Sequence, residues 1–291
     1  MEVWVPTIPE TSGTQRNRVG SVDIFRGLTL LAMVFANDIN GPDLGHIKNV
    51  PWWLHHMPQG VDGMTFVDAI FPAFLFMAGL CIPLAAARRI DRGLSRLRIW
   101  LHVVARTLGL LIIGLWMVNT YTFHPTAMVI SPGLWELLLF IAVILTWNRY
   151  PDGMAARRGL LAILRGAGIG LLVFLAVVYR GEWNSQTTWM RTSWWGIPGL
   201  IGMAYVVAAT AYLLLQQDLA AMLGVFSLLT AFNIGYRSGI LDAIDFAKPY
   251  PHAGNAFGGL GSIAVSGVIV GMLHARSSPV QAPARRLAWI T

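Results

Sequence analysis

Apolar residues run in blocks of about 20 separated by short polar segments: roughly 22 to 39, 64 to 86, 97 to 118, 133 to 147, 160 to 179, 196 to 215, 217 to 235 and 259 to 274. A helix of about 20 residues matches the hydrocarbon core of a bilayer, and only a helix satisfies the backbone of an isolated apolar segment there. The pattern predicts an all-α polytopic transmembrane bundle of about eight spans. The fourth block is short, and only Gln216, Gln217 and Asp218 part the sixth from the seventh, so the count rests on charge as well as hydropathy. No repeat of 20 to 50 residues and no low-complexity stretch interrupts the pattern. The polar ends, 1–20 and 277–291, read as tails around one membrane domain at 21–276.

Charge gives the bundle an orientation. With both termini cytoplasmic, the inner segments hold thirteen arginines: Arg16, Arg18, Arg88, Arg89, Arg92, Arg96, Arg98, Arg149, Arg157, Arg158, Arg276, Arg285 and Arg286. The outer loops hold five basic residues: Lys48, Arg180, Arg191, Arg237 and Lys248. The positive-inside bias therefore favours this topology, and it disperses the net charge of +7 into orientation signals rather than a nucleic-acid surface. At 291 residues, 55% hydrophobic and only 12% charged, with mean hydropathy +0.58, the chain is excluded from the soluble monomers. Its single cysteine, Cys81, excludes an intrachain disulfide framework. The first 20 residues contain no apolar run, so no cleaved signal peptide is expected.

The outer loops are richer than connectors need. The first holds His46, Trp52, Trp53, His55, His56 and Asp62, and the third holds Trp183, Trp189, Trp194 and Trp195. Tryptophan at this level ordinarily forms an interfacial belt, but clustered on the same face as a histidine pair it can also line a substrate cleft. Asp68 sits about one helical turn into the second block, where an unpaired carboxylate is costly and marks a functional site by default. A histidine held by such a carboxylate has the orientation a general base or nucleophile needs. Asn37, ending the first block on the same side, can donate to a developing oxyanion or serve as a helix cap. His56, His55, Asp68 and Asn37 are thus the candidate catalytic residues.

On the inner side, Arg98, His102 and Arg106 recur every four residues and share one face of the third span. Arg98 alone would be a snorkelling anchor, whereas Arg106 lies too deep for that role. With Arg26, the stripe can receive a polyanion such as the phosphates of a nucleotide-containing cofactor. Asp23 and Arg26, three apart, can equally neutralise each other as a structural pair.

Arg18 to Gly27 and Met33 to Asp38 resemble the opening of the heparan-α-glucosaminide N-acetyltransferase family and its bacterial relatives. The likeness continues through His56, Gly63 to Asp68, Phe71, Pro72 and Phe74 to Gly79, and returns at Ser193 to Tyr205 around Trp194, Trp195 and Gly196. The resemblance implies a transmembrane acyltransferase domain. It takes acetyl-CoA as cytoplasmic acyl donor, uses no metal, and acetylates an extracytoplasmic amino sugar or glycan. It also implies that a loop histidine is catalytic and is supported by Asn37 and Asp68. His56 is the matching residue and His55 the alternative. Membrane lipids are expected partners, nucleic acid is not, a homodimer is an open assembly, and the expected location is the bacterial inner membrane. The histidine takes the acetyl group covalently or deprotonates the acceptor; both courses stay open. A small-molecule transporter or channel is the rival reading, since it too places His, Asp and Arg inside a bundle. It is disfavoured because the sequence shows neither an inverted repeat nor matched broken spans.

Overall fold

The computed structural model describes residues 20–39, 50–58, 61, 63–148, 158–215, 218–241 and 254–277. Apart from Gly20 and Ser277, both polar tails lie outside the described residues, as do His46 and Asp62. Eight α-helices occur among the described residues: α1 (Gly20–Ile39), α2 (Phe66–Ile90), α3 (Arg96–Val118), α4 (Pro132–Trp147), α5 (Arg158–Val178), α6 (Gly196–Leu214), α7 (Leu219–Arg237) and α8 (Leu260–Ser277). Each answers to one of the expected blocks, and the chain is an all-α polytopic membrane bundle. Six of the eight are long and apolar enough to cross a membrane. Of the other two, α1 carries Asp23, Arg26 and Asp38, and α4 is only 16 residues, about 24 Å long.

Helix ends follow local chemistry. Ser95 and Ser131 cap α3 and α4, accepting from the backbone N–H of Arg98 and Leu134 at 3.4 Å, and Pro132 occupies the first turn where its missing N–H costs nothing. Asp218 caps α7 by accepting from Ala220 and Ala221. That cap makes the three-residue interval between the sixth and seventh blocks a true helix boundary. A π-helical turn, Gly254–Gly259, leads into α8, and nothing in the apolar pattern anticipates it.

The chain divides into two compact units, 1–77 and 78–291, with the boundary inside α2. In the first, Ala36 of α1 is buried with Val67 and Ile70 of α2, flanked by Ala32 and Met33. Trp53 meets Phe66 edge-on, ring centroids 6.1 Å apart.

In the second unit α3 packs on α6, α4 on α5, and α8 on α6 and α7. The α3–α6 contact is close because Gly114 faces the backbone of Trp195 and Gly199; any Cβ there would strike main-chain atoms. Trp195 precedes α6 with φ 66°, a left-handed conformation unusual for so large a side chain. The main core gathers Trp135, Leu139, Ala142, Leu172, Leu175 and Tyr179. Two of its ring polar groups are satisfied: Trp135 Nε1 donates to Leu175 O at 3.0 Å and the Tyr179 hydroxyl donates to Asn119 O at 3.0 Å.

The third expected loop is more ordered than a connector. β1 (Gly181–Trp183) and β2 (Gln186–Thr188) form an antiparallel hairpin. Asn184 and Ser185 turn it with φ 49° and 59°, the paired positive values that suit a two-residue hairpin.

Candidate active site

Pro51 opens a single 3-10 turn, Trp52–Leu54, that ends at His55. His55 is half-buried, and its backbone N–H closes the turn on Trp52 O at 3.2 Å. The next residue leaves the turn with its ring directed at α2. His56 Nδ1 lies 2.7 Å from Asp68 Oδ1. No such carboxylate meets the His55 side chain among the described residues.

Thr65 and Asp68 start α2 together. The Thr65 backbone N–H and hydroxyl donate to Asp68 Oδ2 at 3.0 and 2.9 Å, while the Asp68 N–H points back to Thr65 Oγ1 at 3.4 Å. This is a reciprocal capping box, built from a Thr followed three residues later by an acid. The Met57 N–H adds a bond to the same oxygen at 3.1 Å. One carboxylate oxygen is thus saturated by the loop and helix start, and the other is turned to the imidazole.

This changes the physical reading of Asp68. The sequence places it a turn inside a span, where its cost requires a partner. In the structure the helix begins at Phe66, so Asp68 sits in the first turn, favoured there by the helix dipole and by four hydrogen bonds. The Asp68 side chain is 24% exposed and that of His56 57% exposed, so the carboxylate is largely covered while the ring stays accessible. Thr65 carries no titratable group to mark it, although the T-x-x-D pattern before an apolar run has its own signature.

Chemically, an ionised Asp68 accepts from Nδ1–H and fixes the tautomer in which Nε2 carries the lone pair. That arrangement suits a general base or an acyl-accepting nucleophile. Asn37 lies in the last turn of α1, and its side chain is outside the described ones.

The other candidates are placed as follows. Arg26 stands 4.0 Å from Asp23, an exposed pair one turn apart. Arg98, His102 and Arg106 share one exposed face of α3, beside the buried row Ile99, Val103 and Thr107 that meets α6. None of the three forms an ion pair among the described residues. The Arg106 guanidinium lies 5.2 Å from the centre of the Tyr205 ring of α6, which holds the cation in place without neutralising it. Among the loop tryptophans, Trp189 donates to Ala176 O at 2.6 Å, and Trp183 lines a shallow cleft in the second unit.

A family profile described as "Domain of unknown function (DUF5009)" matches residues 18–239. The mouse protein named heparan-alpha-glucosaminide N-acetyltransferase is 33% identical over 153 residues, 50% of this chain and 22% of that protein. Its human counterpart of the same name is 29% identical over 179 residues, 58% of this chain and 26% of the relative. The match spans about a quarter of the length of these curated relatives. No solved structure matches the chain significantly.

Proposed function

The chain belongs to the DUF5009 family, and from that membership, its homology to heparan-alpha-glucosaminide N-acetyltransferases and the His56–Asp68 pair we propose that it is an integral membrane acetyltransferase. The donor is acetyl-CoA, and the acceptor is an amino sugar or glycan on the opposite side of a bacterial inner membrane. The observation that carries the reading is the 2.7 Å contact between His56 Nδ1 and a carboxylate already held by Thr65 and Met57. A solvated histidine has no need of so elaborate a support, whereas a catalytic one does.

In the direct course, Nε2 of His56 takes a proton from the acceptor amine as its nitrogen attacks the thioester carbonyl. The C–N bond forms, the C–S bond breaks, and the thiolate of CoA recovers the proton from the imidazolium. In the covalent course, Nε2 itself attacks, the C–S bond breaks and CoA leaves as the thiolate; the amine then attacks the acetyl-imidazole, its C–N bond forms as the bond to Nε2 breaks, and the proton it sheds goes to the thiolate. Asp68 holds the ring in both, and Asn37 supplies an amide donor to the oxyanion. The exposed stripe Arg98, His102 and Arg106 receives the phosphates of CoA, for which an unneutralised guanidinium is the apt partner.

The test is transfer of labelled acetyl from acetyl-CoA to glucosamine by the full chain in proteoliposomes. His56→Ala should lose transfer while keeping acetyl-CoA binding. Arg106→Ala should raise the KM for acetyl-CoA about tenfold, the loss of one charge-assisted contact. Normal transfer in both His56→Ala and His55→Ala would remove histidine catalysis. Counterflow of acetyl-CoA or sugar without chemical transfer would favour a transporter. For the topology, a cysteine at Gln59 in a Cys81→Ser background should be labelled only from outside; labelling only from the cytoplasm would reverse it.

A further inference from the structure

The stripe on α3 is set against α6 by more than apolar packing. The two helices run antiparallel, and two polar contacts fix their register: Trp100 Nε1 donates to Thr210 Oγ1 at 3.1 Å, and Thr107 Oγ1 donates to Gly202 O at 3.4 Å. Arg106 and Tyr205 meet between these two, the guanidinium carbon 5.2 Å from the ring centroid. Arg106 is the eleventh residue of α3 and Tyr205 the tenth of α6. At 1.5 Å per residue the Arg106 backbone therefore lies about 15 Å from the first residue of α3, half the thickness of a hydrocarbon core of about 30 Å. An arginine at that level snorkels toward water unless something holds it, and the Tyr205 ring holds it from the facing helix.

Nothing among the described residues neutralises this place. Arg89, in the last turn of α2, and Arg106 both bear electrostatically on His102, and neither guanidinium forms an ion pair among the described residues. Like charges gathered in this way repel one another, and an anion among them relieves the repulsion. Tyr205 adds a polar group that the packing leaves unused. Its side chain is half-buried, and its hydroxyl makes no hydrogen bond among the described residues. A ring with a guanidinium over its face and a free O–H at its edge presents two kinds of donor to one tetrahedral oxyanion.

We propose that Tyr205 serves the acetyl-CoA site in two ways: its ring positions Arg106, and its hydroxyl donates beside that guanidinium to the diphosphate of CoA. The assignment rests on the acetyltransferase reading for the identity of the donor. CoA carries phosphate in two places, on the ribose and in the diphosphate that begins the pantetheine arm. The arm leads from the diphosphate to the thioester, which must reach further into the bundle than any phosphate. The deepest cation of the stripe therefore meets the diphosphate, and Arg98, about 12 Å nearer the start of α3, is left for the ribose phosphate.

Binding of acetyl-CoA to the purified full chain in nanodiscs, without an acceptor, tests this apart from turnover. Tyr205→Phe keeps the ring and removes the hydroxyl; Tyr205→Leu removes both. Kd should rise about tenfold in Tyr205→Phe, as expected for loss of a hydrogen bond to a charged group, and about a further fivefold in Tyr205→Leu, as expected for loss of a cation–π contact. In an Arg106→Gln background the two Tyr205 variants should bind alike, because the ring then has no cation to position. In transfer assays the KM for acetyl-CoA should follow Kd with kcat unchanged. The Tyr205→Phe penalty should persist with acetyl-dephospho-CoA, which lacks the ribose phosphate and keeps the diphosphate. The register contacts of Trp100 and Thr107 do not involve residue 205, and Tyr205→Phe decides the hydroxyl's part even should the leucine variant fail to fold. Wild-type affinity in both variants, or a fall in kcat at unchanged Kd, would overturn the proposal. So would a difference between Tyr205→Leu and Tyr205→Phe that Arg106→Gln does not diminish, which would make the ring structural. Loss of the Tyr205→Phe penalty with acetyl-dephospho-CoA would overturn it too, by moving the contact to the ribose phosphate. If acetyl-CoA binds in a Tyr205-dependent way but no acetyl is transferred, the acetyltransferase reading fails and the site stands. If acetyl is transferred and both variants bind as the wild type does, only the role of Tyr205 fails.

Discussion

Asp68 and Asn119 each hold another residue in place, and they do it by opposite routes. Asp68 works with neighbours: its partners Thr65, Met57 and His56 lie 3, 11 and 12 residues away, and its side chain is partly exposed. Asn119 works across the fold: it grips the backbone of Arg191, 72 residues on, and is itself gripped by Tyr179, 60 residues on, all but sealed from solvent. A support made of local contacts can be altered without endangering the helices around it. A support buried at the junction of α3, α5 and the segment before α6 belongs to the core, and its loss is felt as stability. Changes in the first region should therefore register in turnover, and changes in the second in folding.

The largest expected effect lies in the first region. His56→Ala should lower kcat/KM for acetyl transfer by about 10³-fold, in the range for loss of a general base, while His55→Ala stays near wild type. Steady-state assays of the two variants side by side decide this. Equal defects would mean that the pair acts jointly, and the contrast between the two histidines would collapse.

Asp68→Asn keeps the shape of the carboxylate but cannot supply the same acceptor charge to Nδ1–H. A fall in kcat of about 10²-fold is expected, because the ring loses its preferred tautomer, with the KM for acetyl-CoA unchanged. A change confined to KM would show instead that Asp68 shapes binding.

Asn119→Ala reverses the pattern. It strands the Arg191 N–H and carbonyl, a loss of about 2–3 kcal/mol for groups left without partners, visible as a lower midpoint in thermal unfolding of the detergent-solubilised protein. Acetyl-CoA KM should not move. If unfolding is unaffected and turnover falls instead, the two regions are not distinct in kind.

Thr65→Ala should give the smallest effect. Losing the cap to the Asp68 N–H costs about 1 kcal/mol, and the Asp68 carboxylate loses one of the four hydrogen bonds it accepts, so stability and kcat should both drop slightly. Thr65→Ser should restore both, since a serine hydroxyl can cap equally well.

The sequence by itself determined the helical bundle. Its eight apolar blocks reappear as α1 to α8, because a chain segment in hydrocarbon must satisfy its own backbone and helix length is set by bilayer thickness. It also determined that His56 and Asp68 are within reach, since a short loop and a T-x-x-D helix start leave the chain little freedom between them. What it could not determine was which side chains separated by many residues would meet. That Asn119 grips residue 191, that Arg191 stacks on Trp183, and that Arg106 settles on Tyr205 follow from how α3, α5 and α6 pack. Asparagine, arginine and tryptophan have no periodicity that announces a partner, and nothing in the linear pattern singles out Asn119. The structure alone decided those pairings, because close packing of helices admits only the ones whose backbones can approach, as Gly114 does against Trp195 and Gly199.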